Sequence, residues 1–188
     1  MQYAEASLRI DEHREEIGAL REKIRALQSD REPQPVEDYE FATSEGPMRL
    51  SELFGDKDTL FVIHNMGASC PYCTLWADGF NGVIDHLENR AAFAVSSPDT
   101  PAQQKKFAAS RNWRFRMVSH ANTRFAEDMG YRKDGNWWPG VSVFQRRENG
   151  IVRVSDAEFG PGDLFCSLWH LLDLIPEGSA GWEPKFRY

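Results

Sequence analysis

An α/β fold is predicted, with a mixed sheet as the middle of three layers, helices on both of its faces, and a helical extension in front. Three observations predict it. The continuous apolar runs Leu60-Phe61-Val62-Ile63-His64 and Ala91-Ala92-Phe93-Ala94-Val95-Ser96 read as strands buried on both faces, and a helical stretch follows each. Further on, residues 141–145 and 151–154 flank Glu148-Asn149-Gly150, and Asn-Gly between alternating runs signals a hairpin. A closing helix completes the order strand, helix, strand, helix, hairpin, helix, which suits a parallel pair with crossovers followed by an antiparallel pair.

Length and composition bound this reading. A chain of 188 residues with 41% hydrophobic and 12% aromatic residues makes one domain with a core and leaves an appendage over. A net charge of -7 opposes nucleic-acid binding, and the densest basic stretch, Arg111, Arg114 and Arg116, alternates with Trp113 and Phe115 as a solvated face does. No run of about 18 apolar residues occurs, so no membrane span is expected. The acidic N-terminus lacks a signal-like apolar region, so the expected location is the cytoplasm. Three cysteines are too few for a disulfide scaffold, and in a reducing compartment a close pair serves chemistry or metal binding.

In chain order, residues 1–30 form an amphipathic helix rich in Ala, Glu, Arg, Leu and Ile. Its seam reads Tyr3, Ala6, Ile10, His13, Ile17, Leu20, Ile24 and Leu27, which fits either a coiled coil with another subunit, hence a homodimer, or docking on the chain's own body. Residues 31–37, with Pro33 and Pro35, make a linker, and residues 38–188 the main domain. Within it, Tyr39-Glu40-Phe41-Ala42 alternates as a strand, Glu45-Gly46-Pro47 turns it, and Met48-Arg49-Leu50 returns. Ser51 is the expected cap of a one-turn helix ended by Gly55. After the first buried strand, residues 74–87 are helical, with a kink or close packing at Gly79 and Gly82. After the second, Ser97-Pro98-Asp99-Thr100-Pro101 opens a helix to about Asn112. Met117-Val118 is a short strand, Asn122 the expected cap of a helix ending at Gly130, and residues 161–174 the closing helix, with Leu164, Leu168, Leu171 and Leu172 on its apolar face.

The chemistry concentrates at Cys70-Pro71-Tyr72-Cys73, directly after the first buried strand. A thiol reacts as its thiolate, and Cys70 falls where free N–H groups at a helix start lower its pKa from about 8.5. Pro71 suits the first helical position, where its missing N–H is not needed. Cys73, one turn on, lies within disulfide reach and is placed to resolve a mixed disulfide formed at Cys70. The same spacing is half of a zinc site, but no second Cys-x-x-Cys exists, and Cys166, His64, His86, His120 and His170 show no paired ligand spacing. No metal or cofactor is expected; zinc held with His64 or His120, and two thiols that merely pack, are the alternatives.

These residues resemble the thioredoxin superfamily. The tetrapeptide Cys70-Pro71-Tyr72-Cys73 is the one glutaredoxins carry, and Trp137-Trp138-Pro139 before Gly140-Val141-Ser142-Val143-Phe144 looks like the superfamily's cis-proline and following strand. The resemblance implies a thioredoxin-like three-layer sandwich, with Trp138 and Pro139 binding substrate beside Cys70 and Cys73. Nearly the whole chain resembles an uncharacterised bacterial thioredoxin-like family classed as a domain of unknown function. The run is Asp38-Tyr39-Glu40-Phe41, Leu50-Ser51-Glu52-Leu53-Phe54, the cysteine motif through Thr74-Leu75-Trp76-Ala77-Asp78-Gly79-Phe80, and residues 140–144. The front hairpin and residues 50–54 also resemble peroxiredoxins, but Ile63 and Gly67 stand where those enzymes carry Pro and Thr before the peroxidatic Cys.

The expected activity is therefore thiol-disulfide exchange with a protein or small-molecule disulfide, a reductant returning the pair to the dithiol. The alternatives are a thiol peroxidase of peroxiredoxin type and a non-enzymatic thioredoxin-fold interaction module. Among further residues, His64 either tunes the thiolate or is a hydrogen-bonded core histidine, and Asp78 either accepts a proton from Cys73 or is solvated. One of Trp137 and Trp138 is expected to line a groove near Cys70, and Cys166 to pack as a small hydrophobe.

Overall fold

The computed structural model describes residues 1–188, in two units, Met1–Pro33 and Gln34–Tyr188. The first is helix α1 (Tyr3–Asp30), none of whose residues is buried. The second begins with β1 (Gln34–Val36), β2 (Glu40–Thr43), β3 (Gly46–Arg49) and α2 (Leu50–Leu53). Next come β4 (Thr59–His64), α3 (Pro71–Gly82), α4 (Ile84–Arg90), β5 (Ala92–Ser97), α5 (Pro101–Arg111) and β6 (Arg116–Ser119). It closes with α6 (Phe125–Asp128), β7 (Arg132–Lys133), β8 (Asn136–Trp137), β9 (Gly140–Arg147), β10 (Gly150–Glu158) and α7 (Ser167–Leu172). No helix is long and apolar enough to cross a membrane.

The two apolar runs lie side by side in the middle of an eight-stranded sheet of order β1-β10-β9-β4-β5-β6-β2-β3. β4 runs parallel to β5 and antiparallel to β9, and β5 parallel to β6, so the sheet is mixed. The pleat of β4 sends Leu60 and Val62 into one core with Leu50, Leu53, Phe125 and Met129, below α2 and α6. It sends Phe61 and Ile63 into the other, with Cys73, Trp76, Ile84, Phe107 and Trp169, below α3, α4, α5 and α7. Both faces of β4 are thus covered, which is why its sequence does not alternate. The three-layer sandwich expected from the sequence is this arrangement.

Some elements differ from the sequence expectation. Gln34–Val36, inside the stretch read as linker, is an edge strand on β10, where Pro35 is tolerated because an edge has N–H positions that need no partner. The long helix after Cys70 breaks at Val83, between α3 and α4; no atom lies within 4 Å of a Cβ built at Gly79 or Gly82, so the glycines mark a kink and not close packing. Ser51 does not cap α2: Arg49 precedes the helix and its N–H donates to the Glu52 carboxylate at 2.6 Å, while Ser51 bonds Asp38. Thr123, not Asn122, serves the start of α6, its Oγ1 accepting from Phe125 N at 3.1 Å. The closing helix shrinks to six residues because Asp163 accepts from the N–H groups of Gly160, Phe165 and Cys166, and Leu164 and Leu171 are exposed.

Candidate active site

Cys70 is the residue immediately before α3, with extended backbone, and Pro71 opens the helix. Its Sγ accepts the N–H of Cys73 at 3.1 Å, which satisfies one of the free donors of the first turn. Its carbonyl accepts from both the N–H and the hydroxyl of Thr74, at 3.1 and 3.0 Å. Cys70 is half-buried and Cys73 is buried; both are free thiols.

The approach to Cys70 is held by two residues that sequence reasoning did not single out. Asn65 Oδ1 accepts from Gly67 N at 2.8 Å, and its amide reaches the Cys73 carbonyl at 3.5 Å. Asp99, beyond the end of β5, accepts from Ala68 N at 2.8 Å and bonds Ser97, whose hydroxyl also receives Gln104 of α5. Gly67 takes a φ of 105°, which glycine favours, and the Asp99 carboxylate stands 3.0 Å from where a Cβ would sit. Gly67 could be suspected from the strand-to-loop pattern; the Asp99 contact spans 31 residues and leaves no local signal.

Electrostatics separates the two thiols. The hydrogen bond from the Cys73 side chain brings Cys70 down to about 7 against the opposing effect of burial, and the N–H groups of Cys73 and Tyr72 add to it. Cys73 moves the other way, pushed far up by its hydrogen bond to Cys70, then by burial and the charge of Cys70; the N–H of Met66, 3.4 Å from its Sγ, opposes this. Once Cys70 ionises, above about pH 7, the reduced pair thus holds one thiolate and one proton. Tyr72 packs its ring 6.3 Å from those of both Trp76 and Trp169, and burial, then Glu183, pushes its phenol up.

Several expectations meet a different geometry. His64 shares the β4 face of Leu60 and Val62, opposite the core that takes Cys73. It stacks 3.8 Å from Tyr131, bonds Ser142 Oγ at 2.9 Å, and is held neutral by burial, then by the charges of His120 and Arg153. It is a core histidine and supplies no cation to the thiolate. Asp78 is engaged by Arg111 and by the indole N–H of Trp113 at 2.8 Å, so it is a half-exposed member of a structural ion pair and not a free acceptor. Cys166 is buried before α7, its thiol pushed up by desolvation.

Trp138 and Pro139 come to the sheet end from which the loop to Cys70 leaves, since Gly140 pairs with His64 at the last rung of β4 and β9. Pro139 is buried, and its carbonyl accepts from Phe159 N at 2.9 Å. The chain has no cis peptide bond, so the cis-proline implied by the resemblance is absent: Trp138–Pro139 is trans. Trp138 is the exposed member of the tryptophan pair at 46%, held by Tyr131 through its N–H and by Lys133 over its ring, not by either cysteine. Trp137 turns inward onto His120, 4.9 Å between ring centres. No group of three or more His, Cys, Asp or Glu side chains is placed to hold a metal ion.

Solved structures share the fold that carries this site. The chain superposes on peroxidoxin BcpB from Mycobacterium tuberculosis with a TM-score of 0.58 at 24% identity, covering 67% of this chain and 84% of that one. Reduced Prx3 from Vibrio vulnificus gives 0.58 at 16% identity, over 71% and 90%. Peroxiredoxin Q from Xanthomonas campestris gives 0.55 at 18% identity, over 64% and 80%. At these identities the likeness is one of fold, the thioredoxin-like fold. No curated protein matches the chain. Residues 4–185 match the family described as "Bacterial protein of unknown function (DUF899)", and with nearly its whole length matched the chain belongs to that family.

Proposed function

We propose that the protein is a cytoplasmic thiol-disulfide oxidoreductase in which Cys70 is the nucleophile and Cys73 the resolving thiol. The observation that carries this reading is the hydrogen-bonded pair at the start of α3, with Cys70 drawn down to about 7 and Cys73 kept protonated. The Cys70 thiolate attacks a protein or small-molecule disulfide, forming a mixed disulfide and releasing one substrate thiolate. Cys73 then loses its proton and attacks Cys70 Sγ, forming the Cys70–Cys73 disulfide and releasing the second substrate thiolate. The substrate gains two electrons, the dithiol gives them up, and an external reductant restores it. Trp138 and Pro139, at the same sheet end, are assigned to the substrate-binding surface.

The experiment is alkylation of the reduced protein with iodoacetamide across pH, read by mass spectrometry, with turnover of a model disulfide. The Cys70 rate should rise with a midpoint near 7, turnover should vanish in Cys70→Ser, and Cys73→Ser should accumulate the mixed disulfide. A midpoint near 9 without turnover of any disulfide would end this reading. A second reading, a thiol peroxidase, draws on the fold likeness to peroxiredoxins. There the Cys70 thiolate would take one oxygen from a peroxide, releasing water or an alcohol, and Cys73 would condense with the sulfenic acid, releasing water. Ile63 and Gly67 in place of Pro and Thr weigh against it, and slow oxidation by hydrogen peroxide in stopped flow would remove it.

A further inference from the structure

In α1, Ile10, Ile17, Leu20, Ile24 and Leu27 are 49, 49, 56, 52 and 72% exposed. They recur, with His13, at alternating spacings of three and four, the 3.5-residue repeat of a coiled-coil seam, narrower than the face a helix lays on a globular core. Beyond exposed i,i+3 ion pairs such as Asp11 with Arg14, the helix has little support at its ends and middle: no side chain caps its start, its last turn holds no basic residue, and Gly18 interrupts it with no atom within 4 Å of a built Cβ. Helices of this kind draw most of their stability from packing an apolar face.

The charges beside the seam indicate what covers it. One flanking row is Arg9, Glu16, Lys23 and Asp30; the other is Ser7, Arg14, Arg21 and Gln28. In a parallel pair the two rows face each other, so Glu16 meets Arg21 of the second copy while Arg9 meets Arg14, and attraction is cancelled by repulsion. In an antiparallel pair each row faces itself. Arg9 then meets Asp30 and Glu16 meets Lys23, each twice by the two-fold axis, against Arg14 meeting Arg21 twice. Asp11, 2.8 Å from Arg14 in the same helix, softens that repulsion.

We propose that α1 docks on α1 of a second copy as an antiparallel two-stranded coiled coil. Ile10 packs on Leu27, Ile17 on Leu20, and Ile24 on His13 across the two-fold axis. The seam holds no cysteine, so the dimer is independent of the dithiol reading.

Sedimentation equilibrium of the full chain under reducing conditions tests it, with an expected mass of twice 21.5 kDa. Ile17→Glu with Ile24→Glu should give the 21.5 kDa monomer, whereas Leu8→Glu, at a residue 69% exposed but outside the seam, should leave the dimer intact. Lys23→Glu should raise the dissociation constant several-fold, and adding Glu16→Lys should restore it. A parallel pair would not be restored, because the substitution at Glu16 would then face Arg21. A monomeric natural chain, equal loss of dimer with Leu8→Glu, or no rescue by the double charge exchange overturns the proposal.

Discussion

In the reduced pair, Cys73 is raised by its hydrogen bond to Cys70, by burial and by the charge of Cys70, and the first and third of these depend on the Cys70 thiolate. Once Cys70 is tied into a mixed disulfide both disappear, and Cys73 becomes easier to ionise at the step that needs it. Cys70→Ala should reproduce that state: titration by thiolate absorbance should give Cys73 a midpoint below the second step of the natural pair, and an unchanged second step would contradict the coupling. Asp99 acts at one remove, through Ala68 N at 2.8 Å. Removing its carboxylate with Asp99→Ala leaves a partly buried N–H without an acceptor and should cost about 1–3 kcal/mol of stability in urea unfolding. The alkylation midpoint of Cys70 should rise above about 7 at the same time, with Asp99→Asn recovering most of both effects. A stability loss with an unmoved midpoint would make Asp99 structural only.

At the level of elements, the start of β9, where it runs beside β10 under Tyr131, has no room to spare. A Cβ added at Gly140 would overlap the Tyr131 ring and stand 2.5 Å from the Ala157 carbonyl, and the Tyr131 hydroxyl already donates toward Val141 O and Ala157 O at 3.0 Å. Gly140→Ala should therefore cost about 1–3 kcal/mol by overpacking, seen as a lower urea midpoint. An unshifted midpoint would mean that the ring yields freely. What the chain reveals at this scale depends on how local the cause is. β4 and β5 are legible because both of their faces are apolar, and the α3–α4 break because Gly79 and Gly82 mark it. β1 is hidden by its two-proline surroundings, and the spacing of Leu164 and Leu171 extends the closing helix beyond its real span because Asp163 captures the backbone N–H groups before α7. The cysteine pair is legible for the same reason as the strands: motif, strand and helix are contiguous. The Asp99 clamp and the outward turn of Trp138 depend on distant partners and are not. The face of His64 lies between these cases, since counting pleats from Leu60 would have put it opposite Cys73.

Across the whole molecule, the core on the His64 side of the sheet depends on two imidazoles staying neutral. His64 is stacked between Tyr131 and Phe125, ring centres 3.8 and 5.2 Å away, and His120 packs on Trp137, so together they join α6, the β7–β8 hairpin and the central strand. Burial, then the nearby Arg132, lowers His120 to about 4, and His64 is lowered too. Above pH 6.5 folded and unfolded chains both hold these rings neutral. As pH falls from 6.5 toward 4 the unfolded chain takes up the proton and the folded chain does not, so stability drops, by about 3 kcal/mol for His120 alone. Cys70, with its pKa lowered from the ordinary thiol range to about 7, loses its own stabilising contribution as pH falls through that higher window, so the two effects separate. Urea unfolding of the reduced protein between pH 7.5 and 4.5 should show the histidine loss, and His120→Gln should lose about 2–3 kcal/mol less over the same range. Carboxylates titrating there act equally on both proteins and cancel in the difference, as does any pH-independent cost of the substitution. Parallel stability curves for the two proteins would mean that His120 is protonated as readily in the folded chain as in the unfolded one.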